Sequence, residues 1–422
     1  LLAKDSSMAL RAGFPPPGST IICLAALQSV AGWNVPVQRA SRSICSRLNA
    51  EELPRASSLV SDPCWRAEGL AAIDEHNEDL CATLDELRAQ SYFRFYSVDL
   101  LKGCNYFPQS EDECVSTCEL YPSEEEDIPS AIKKVDASEH EFELDAWVRW
   151  DMPSDDYYDI YENREQFTAY DGSKIWKFIH EKICFPTSGY SAGLGSTEGE
   201  VWQRDFNRAV SGLHSSISAH IVQGMLEKKE SGGEEAEGVP VVDVEYERRL
   251  GRTGENAMAI DHLYFGYMLM ACAVREAAPR LRATDFGVDA CGEADGVKEL
   301  VEQVLAHPIL NDPGVLVAEK NLQRHAVEGA GSQLWQARLR TRDLLRVMDC
   351  VQCNVCRLHG KVGSLGLATA MSVLLGAEGR GGDSSRLHRV EVAALLTTLG
   401  KFANAILIVS EFEARRPRQM TL

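Results

Sequence analysis

The residues AMAIDHLYFGYMLMACAVREA, at positions 257–277, determine the fold more clearly than any other stretch of the chain. They are apolar on nearly every side of a helix, which is typical of a helix at the centre of a bundle rather than at its surface. The length of the stretch and its two polar residues, Asp261 and His262, argue against a membrane span. The stretch therefore predicts a buried helix around which other helices pack.

Two further segments predict helices with one buried face each. Their apolar residues recur at spacings of three and four, and these residues are Phe206, Val210, Leu213, Ile217, Ile221 and Met225 in one and Val392, Leu395, Leu399, Phe402 and Ile406 in the other. The chain shows no internal repeat and no alternating series of strands. We therefore expect an all-α fold, a single-domain helical bundle whose interior can hold a flat cofactor and whose long loops carry cysteines.

Composition excludes some classes of function. The 422 residues are 45% hydrophobic, which is enough to bury a sizeable core. Asp and Glu number 63 against 43 Lys and Arg, so the net charge is -20. Such a chain repels a phosphate backbone rather than neutralising it. We therefore expect no nucleic-acid partner.

The amino end has the pattern of a targeting segment. The apolar run TIICLAALQSVAG, at positions 20–32, follows a basic start and contains small residues at 29–31 that suit a cleavage site. We expect a signal or anchor segment over 1–35 and a linker over 36–62. An ordinary apolar segment is the alternative.

Thirteen cysteines are too dilute for a small disulfide scaffold, so their grouping is more informative than their number. Six of them form two groups, Cys104, Cys114 and Cys118 in the first and Cys350, Cys353 and Cys356 in the second. The other seven are dispersed.

The second group has the C-x-x-C spacing twice, and a helix-like sequence follows it. At a helix start the dipole and the free amides stabilise a thiolate, which makes a cysteine pair redox-active. Arg357 and Lys361 add positive charge nearby. An iron–sulfur cluster would need a further Cys followed by Pro, which is absent here. Structural zinc, with His359 as a fourth ligand, remains an alternative.

The first group lies in GCNYFPQSEDECVSTCELYPSEEED, at 103–127, where acidic and turn-forming residues predict an exposed loop. A dithiol on such a loop can carry electrons between a buried redox centre and an external substrate by thiol–disulfide exchange. A loop held by one structural disulfide fits the spacing slightly better. The spacing leaves both interpretations open.

Four blocks together resemble the endoplasmic reticulum oxidoreductins, the flavin enzymes that oxidise protein disulfide isomerase. The blocks, in the order of the family, are SYFRFYSVDLLKGC (91–104), ENREQFTAYDGSKIW (162–176), VSGLHSSISAHI (210–221) and CVQCNVCRLHGKVGSLGLATA (350–370). The resemblance implies an oxidoreductin-like catalytic domain over 63–412 and a tail over 413–422.

The resemblance also implies roles for individual residues. Cys353 and Cys356 match the disulfide beside the flavin, with Cys356 as the proximal sulfur, and Cys114 and Cys118 match the shuttle pair. Cys104 and Cys350 match cysteines that pair across the fold. The positions that match contacts to flavin adenine dinucleotide (FAD) are Thr168, Tyr170, Trp176, Ser211, His214 and Arg249.

An enzyme of this kind takes electrons from protein disulfide isomerase and passes them to dioxygen, which gives hydrogen peroxide. The resemblance therefore implies a place in the lumen of the endoplasmic reticulum, with peripheral membrane association. Separately, we expect a short structural disulfide between Cys64 and Cys81.

The chain departs from the family pattern in ways that bear on the cofactor. Gln166 and Ala259 stand where the family has arginines facing the flavin, and His359 replaces a tryptophan. The shuttle spacing is also one residue short. These departures support one alternative from another class, a zinc-binding or scaffold protein that keeps the helical bundle but has lost flavin.

Overall fold

A computed structural model describes the chain over 77–100, 104, 106, 157–165, 173–186, 198–230, 242–251, 257–286, 295–311, 332–375 and 387–415. The predicted segments 1–35 and 36–62 lie outside these residues. Five predicted site residues also lie outside them, namely Cys64, Cys114, Cys118, Thr168 and Tyr170.

The described elements are almost all helical. In chain order they are α1 (77–88), α2 (Ser91–Arg94), β1 (Phe95–Ser97), β2 (Tyr157–Asp159), α3 (Ser173–Phe178) with a π-helical turn (Ile179–Ile183), α4 (Glu198–Glu230), α5 (Val242–Leu250), α6 (Ala259–Glu276), α7 (Ala278–Ala283), α8 (Asp295–Ala306), a 3₁₀ turn (Pro308–Asn311), α9 (Ser332–Val347), a 3₁₀ turn (Met348–Cys350), α10 (Asn354–Leu375) and α11 (Arg389–Arg415). The predicted all-α fold is confirmed.

The core is a four-helix bundle of α4, α6, α10 and α11, each of which packs against the other three. The predicted central helix is α6, which is buried almost all round from Leu263 to Val274. It stops at Ala277, whose amide donates to the carbonyl of Ala273 at 2.8 Å, and Pro279 begins the next helix. The uniformly apolar sequence of α6 thus matches its central position.

Glycines allow the core helices to approach closely. A methyl group at Gly212 of α4 would lie 2.3 Å from the carbonyl oxygen of His262 on α6. One at Gly266 would lie 2.4 Å from the ring of Phe402, and one at Gly366 would lie 2.1 Å from the hydroxyl of Thr398. Each of these contacts is shorter than any real side chain allows, so these three positions require glycine for close packing.

The small sheet was not predicted. β1 and β2 pair antiparallel, with Tyr96 opposite Tyr158. Arg94, at the end of α2, forms an ion pair with the buried carboxylate of Asp159 and a second with Glu162 at 2.9 Å. The sheet therefore attaches the segment 157–165 to the bundle, beside the first turns of α10.

One described helix, α11, is long and apolar enough to cross a membrane, with a mean hydropathy of 1.9 over its most apolar window. However, 83% of that window is buried inside the bundle, which is how the core helix of a folded domain looks. The helix also continues to Arg415, past the predicted domain boundary at 412.

Candidate thiol and cofactor site

The second cysteine group stands at the start of α10, as its sequence predicted. Cys353 immediately precedes the helix, and the backbone N–H of Cys356 points at the Cys353 sulfur at 3.3 Å. Cys353 is buried and Cys356 is half-buried, and both are thiols in this structure. The Cys353 sulfur thus occupies the capping position, where amide donors and the helix dipole favour a thiolate.

A disulfide joins Cys104 to Cys350 across 246 residues, with the two α-carbons 4.5 Å apart. This is the pairing that the family resemblance implied. The helix α9 and its 3₁₀ turn bring Cys350 close to Cys353 and Cys356. The bond therefore fixes the segment that follows β1 close to Cys353 and Cys356.

Two cations beside the thiols bind nearby oxygens. Arg357 donates to the carbonyl of Val351 at 2.7 Å and to the carbonyl of Leu100. Lys361 forms a buried ion pair with Asp349 and donates to the carbonyl of Asp99 at 2.9 Å. The segment that precedes Cys104 is therefore held to the first two turns of α10 by polar contacts as well as by the disulfide.

A second group of predicted residues forms an aromatic cluster. The rings of Trp176 on α3 and His214 on α4 are stacked, with centroids 4.4 Å apart and planes 8° apart. The π-helical turn after α3 brings the ring of His180 to 5.7 Å from that of His214. Burial, with His180 and Arg249 nearby, lowers the pKa of His214 to about 3. His214 is therefore a neutral ring at physiological pH.

The predicted cation of this cluster, Arg249 on α5, donates to Glu245 at 2.5 Å and is mostly buried. Its neighbour Arg248 shares the same carboxylate but is 60% exposed, so it turns away from the cluster. Ser211 lies on α4 one turn before His214, and its carbonyl accepts the hydroxyl of Ser215. Ala259, at the start of α6, is buried and supplies no charge.

Two polar residues near this cluster, Arg208 and His262, were not predicted from the sequence as parts of a site. Arg208 on α4 is buried, stacks over the ring of Phe265 at 4.2 Å and lies 3.4 Å from Asp205. Burial and then Arg208 lower the pKa of His262 to about 4. The only sequence signal was that Asp205 and Arg208 are three residues apart beside the buried stripe of α4.

These residues fit a flat ring system that carries phosphates, such as FAD. Neutral aromatic rings can stack on such a ring system, and buried guanidinium groups can bind its phosphates. Trp176 and His214 are in direct contact, whereas an inserted ring would need roughly 7 Å between them. A bound ring must therefore displace one of the two or stack on an outer face.

A separate cavity of about 530 Å³ lies between α1, α4, α10, α11 and the segment 161–165. Its wall contains a bidentate ion pair between Lys401 and Glu165, at 2.7 and 2.8 Å. His359 bonds the carbonyl of Asn163 at 2.7 Å, and its other ring nitrogen is 4.0 Å from Glu165. Burial by itself raises the pKa of Glu165, but Lys401 and His359 outweigh it and lower the value to about 2.

The remaining described cysteines are thiols, of which Cys184 and Cys272 are buried and Cys81 is half-buried. The predicted bridge between Cys64 and Cys81 is not formed, because Cys81 is a thiol here. Burial, Asp85 and Glu78 raise the pKa of Cys81 to about 12. Cys184, at the end of the π-helical turn, lies 3.8 Å from the ring nitrogen of His180, and burial raises its pKa to about 12. Neither thiol is poised for reaction.

Within the ranges that the structure describes, no group of three or more His, Cys, Asp or Glu side chains is arranged to hold a metal ion. His359 in particular bonds to a backbone carbonyl and faces Glu165, rather than joining the cysteines. Nothing in the described part of the chain therefore favours the zinc-binding alternative.

The fold and the thiol site define a class of protein, an all-α redox protein with a cysteine pair at the start of a core helix. Comparison with known proteins identifies the family. The family model for Endoplasmic Reticulum Oxidoreductin 1 matches residues 79–409. The chain belongs to this family, whose members are oxidoreductases of the endoplasmic reticulum, and the predicted resemblance is confirmed.

Individual relatives agree with this assignment. The chain is 29% identical to the Ero1-like protein of Drosophila melanogaster over 66% of its own length and 65% of that protein, just under two thirds. It is 24% identical to human ERO1-like protein alpha over 80% of its length and 86% of that protein. A solved structure of Ero1p superimposes with a TM-score of 0.56 at 21% identity, covering 82% of this chain and 97% of that one, which supports the fold.

Proposed function

We propose that this chain is a thiol oxidase that makes disulfides in the lumen of the endoplasmic reticulum. It would take electrons from a thioredoxin-like partner, protein disulfide isomerase, through Cys114 and Cys118, and pass them through Cys353 and Cys356 to FAD and dioxygen. The observation that carries the proposal is the thiol pair at the start of α10, with an amide directed at the Cys353 sulfur. Redox-active cysteine pairs need this placement, whereas structural cysteines do not.

The exchange steps use only cysteines, those of the partner and those of this chain. A thiolate of the partner attacks the Cys114–Cys118 disulfide, and the second partner thiolate then releases both sulfurs as a dithiol. That dithiol reduces the Cys353–Cys356 disulfide in the same way, so one S–S bond forms for each one that breaks. The electron pair and the thiol protons thereby move inward, one disulfide at a time.

FAD, when bound, would accept the electron pair from the inner dithiol and transfer it to dioxygen, which yields hydrogen peroxide. Trp176 and His214 would hold the flat rings, and Arg249 would bind a phosphate. The bundle of α4, α6 and α10 would keep bulk water from the reacting groups, because its facing surfaces are buried.

The direct test is the visible absorption spectrum of the purified protein, recorded before and after anaerobic addition of reduced protein disulfide isomerase. We expect flavin bands that bleach on addition and return when air is admitted. A protein that retains no flavin, even after incubation with FAD, would refute the cofactor assignment.

A substitution separates the thiol step from cofactor binding. Cys353→Ala should abolish oxygen consumption with reduced isomerase and leave the flavin spectrum in place, because the sulfur is lost but the aromatic cluster is not. The control is Cys81→Ala, which removes a thiol outside the redox pair and should retain turnover. Oxygen consumption that survived Cys353→Ala would show that electrons take another route.

A further inference from the structure

Lys361 is a buried cation that the steps above do not use. Its side chain is 7% exposed and that of its partner Asp349 is 3% exposed. Burying a charge is costly unless an opposite charge and hydrogen bonds compensate. Here Lys361 is paired with Asp349 and donates to the carbonyl of Asp99 at 2.9 Å. Such an arrangement next to a redox pair calls for an explanation beyond packing.

The guanidinium of Arg357 links this ion pair to the thiols. Arg357 follows Cys356 on α10, and Lys361 is one turn further along the same face. Burial lowers the pKa of Arg357, while the charges of Asp349, Asp99 and Cys353 oppose that shift. The guanidinium therefore lies within electrostatic reach of two carboxylates and of the sulfur that caps the helix.

A carboxylate and a thiolate compete for the same cation. If Asp349 had no cation of its own, it would attract the Arg357 guanidinium and cancel its field at Cys353. Because Lys361 neutralises Asp349, the charge of Arg357 remains available to the sulfur. The backbone bonds of Arg357, to Val351 at 2.7 Å and to Leu100, hold the guanidinium in that place.

We propose that Lys361 is a positioning residue for the redox pair: by holding Asp349 in an ion pair, it leaves the Arg357 guanidinium to stabilise negative charge on the Cys353 sulfur. The inference rests on the proposed role of Cys353 in thiol exchange. A stabilised Cys353 thiolate is the better leaving group when the second thiolate of the shuttle pair attacks the mixed disulfide. In that step the S–S bond to Cys353 breaks, and a new one forms within the shuttle pair.

The test measures thiolate character directly, without turnover. In a Cys356→Ala background, the native protein is alkylated with iodoacetamide between pH 6 and 9, and the tryptic peptide 347–357 is quantified by mass spectrometry. Because Cys350 is in a disulfide, Cys353 is the cysteine of that peptide that can react. The alkylation rate follows the thiolate fraction.

Three variants give three different expectations. Lys361→Met should slow alkylation at pH 7 by about three- to tenfold, the effect of one uncompensated charge at a partly screened site. Asp349→Asn should accelerate alkylation, because it leaves the cation without its carboxylate. The double variant removes both charges and should be alkylated at a rate within about twofold of that of the parent protein. Such non-additive effects of two substitutions are expected only where the two residues interact.

The outcomes distinguish an electrostatic role from a merely structural one. If Lys361→Met lowers the unfolding temperature but leaves the alkylation rate unchanged, Lys361 serves packing alone and the inference is refuted. If Lys361→Met and the double variant slowed alkylation equally, the inference would be refuted as well, because removing the charge of Asp349 must reverse an electrostatic effect. If Lys361→Met does not fold, the Asp349→Asn variant decides: faster alkylation of Cys353 supports the inference, and unchanged or slower alkylation refutes it.

These rates do not depend on flavin or on a partner protein. If the flavin test fails while the three alkylation rates follow expectation, the proposed oxidase function is wrong but the role of Lys361 stands. If flavin bleaches as expected and the rates do not move, the oxidase stands and the role of Lys361 is refuted.

Discussion

Gly212 offers the sharpest test of how the bundle holds its site. It lies on α4 between Ser211 and Leu213, two residues before His214. A Cβ at Gly212 would lie 2.3 Å from the carbonyl oxygen of His262 and 3.4 Å from the α-carbon of Gly266, both of them backbone atoms of α6. Backbone cannot move aside as a flexible side chain can, so Gly212→Ala must push α4 and α6 apart.

The magnitude follows from two opposing effects. Overpacking a core typically costs about 1–3 kcal/mol, and the upper end applies here because the clash is with the backbone. Replacing glycine by alanine inside a helix stabilises the helix by about 1 kcal/mol. We therefore expect Gly212→Ala to lower the free energy of unfolding by about 2 kcal/mol and to weaken binding of FAD, since Ser211 and His214 move with the helix.

The same helix offers a matched control. A Cβ at Gly224 meets nothing within 4 Å, so Gly224→Ala keeps the gain in helix propensity without the clash. We expect it to raise the free energy of unfolding by up to about 1 kcal/mol and to leave FAD binding unchanged. Urea denaturation followed by circular dichroism measures both variants, and flavin fluorescence measures cofactor binding. Equal stability of the two variants would refute the close packing of α4 against α6.

Two further predictions concern acid and thiol chemistry. Because the folded protein holds the pKa of Glu165 at about 2, below its usual 4.5, the stability gained from its pairing with Lys401 is present above pH 4.5 and is lost as the pH falls towards 2. The full loss should amount to roughly 3 kcal/mol, of which about 2 kcal/mol falls between pH 7 and pH 3, so urea midpoints at pH 7, 5 and 3 should decline, with a flatter profile for Lys401→Met. Cys81 should resist alkylation at pH 8 in the folded protein and react rapidly in urea without reductant. A thiol that reacts in urea only after reduction would instead show the Cys64–Cys81 bridge that the sequence predicted.

The bundle could be predicted from the sequence because the buried faces of its helices require apolar residues at regular spacings. The uniformly apolar α6 and the stripes of α4 and α11 follow from the rule that a helix buries whichever faces are apolar. The start of α10 could be predicted as well, since a C-x-x-C pair is expected at the start of the helical sequence that follows it. These are local features, which a single stretch of sequence carries by itself.

The parts of the site that escaped prediction depend on distant residues. Glu165 and Lys401 are 236 positions apart, and nothing local marks either as the partner of the other. The strands β1 and β2 have three residues each, too short for an alternating pattern to be recognised. The sequence did predict positive charge from Arg357 and Lys361 near the thiols, but not that Lys361 is neutralised by Asp349.

The burial of Cys353 bears on the proposal that a segment of the same chain carries electrons to it. Cys353 is only 6% exposed, and α10 is held on its sides by α6 and α11 and at its start by Arg357 and the Cys104–Cys350 bond. A folded partner has less access to a sulfur buried in this way than to one on the surface. The Cys104–Cys350 bond places the start of the acidic segment beside Cys353 and Cys356. Cys114 is ten residues from Cys104, and ten residues span at most roughly 35 Å, so the bond limits the distance of Cys114 from this origin. The proposed shuttle role requires such a limit, because the Cys114 sulfur must return to Cys353 after each exchange with a partner.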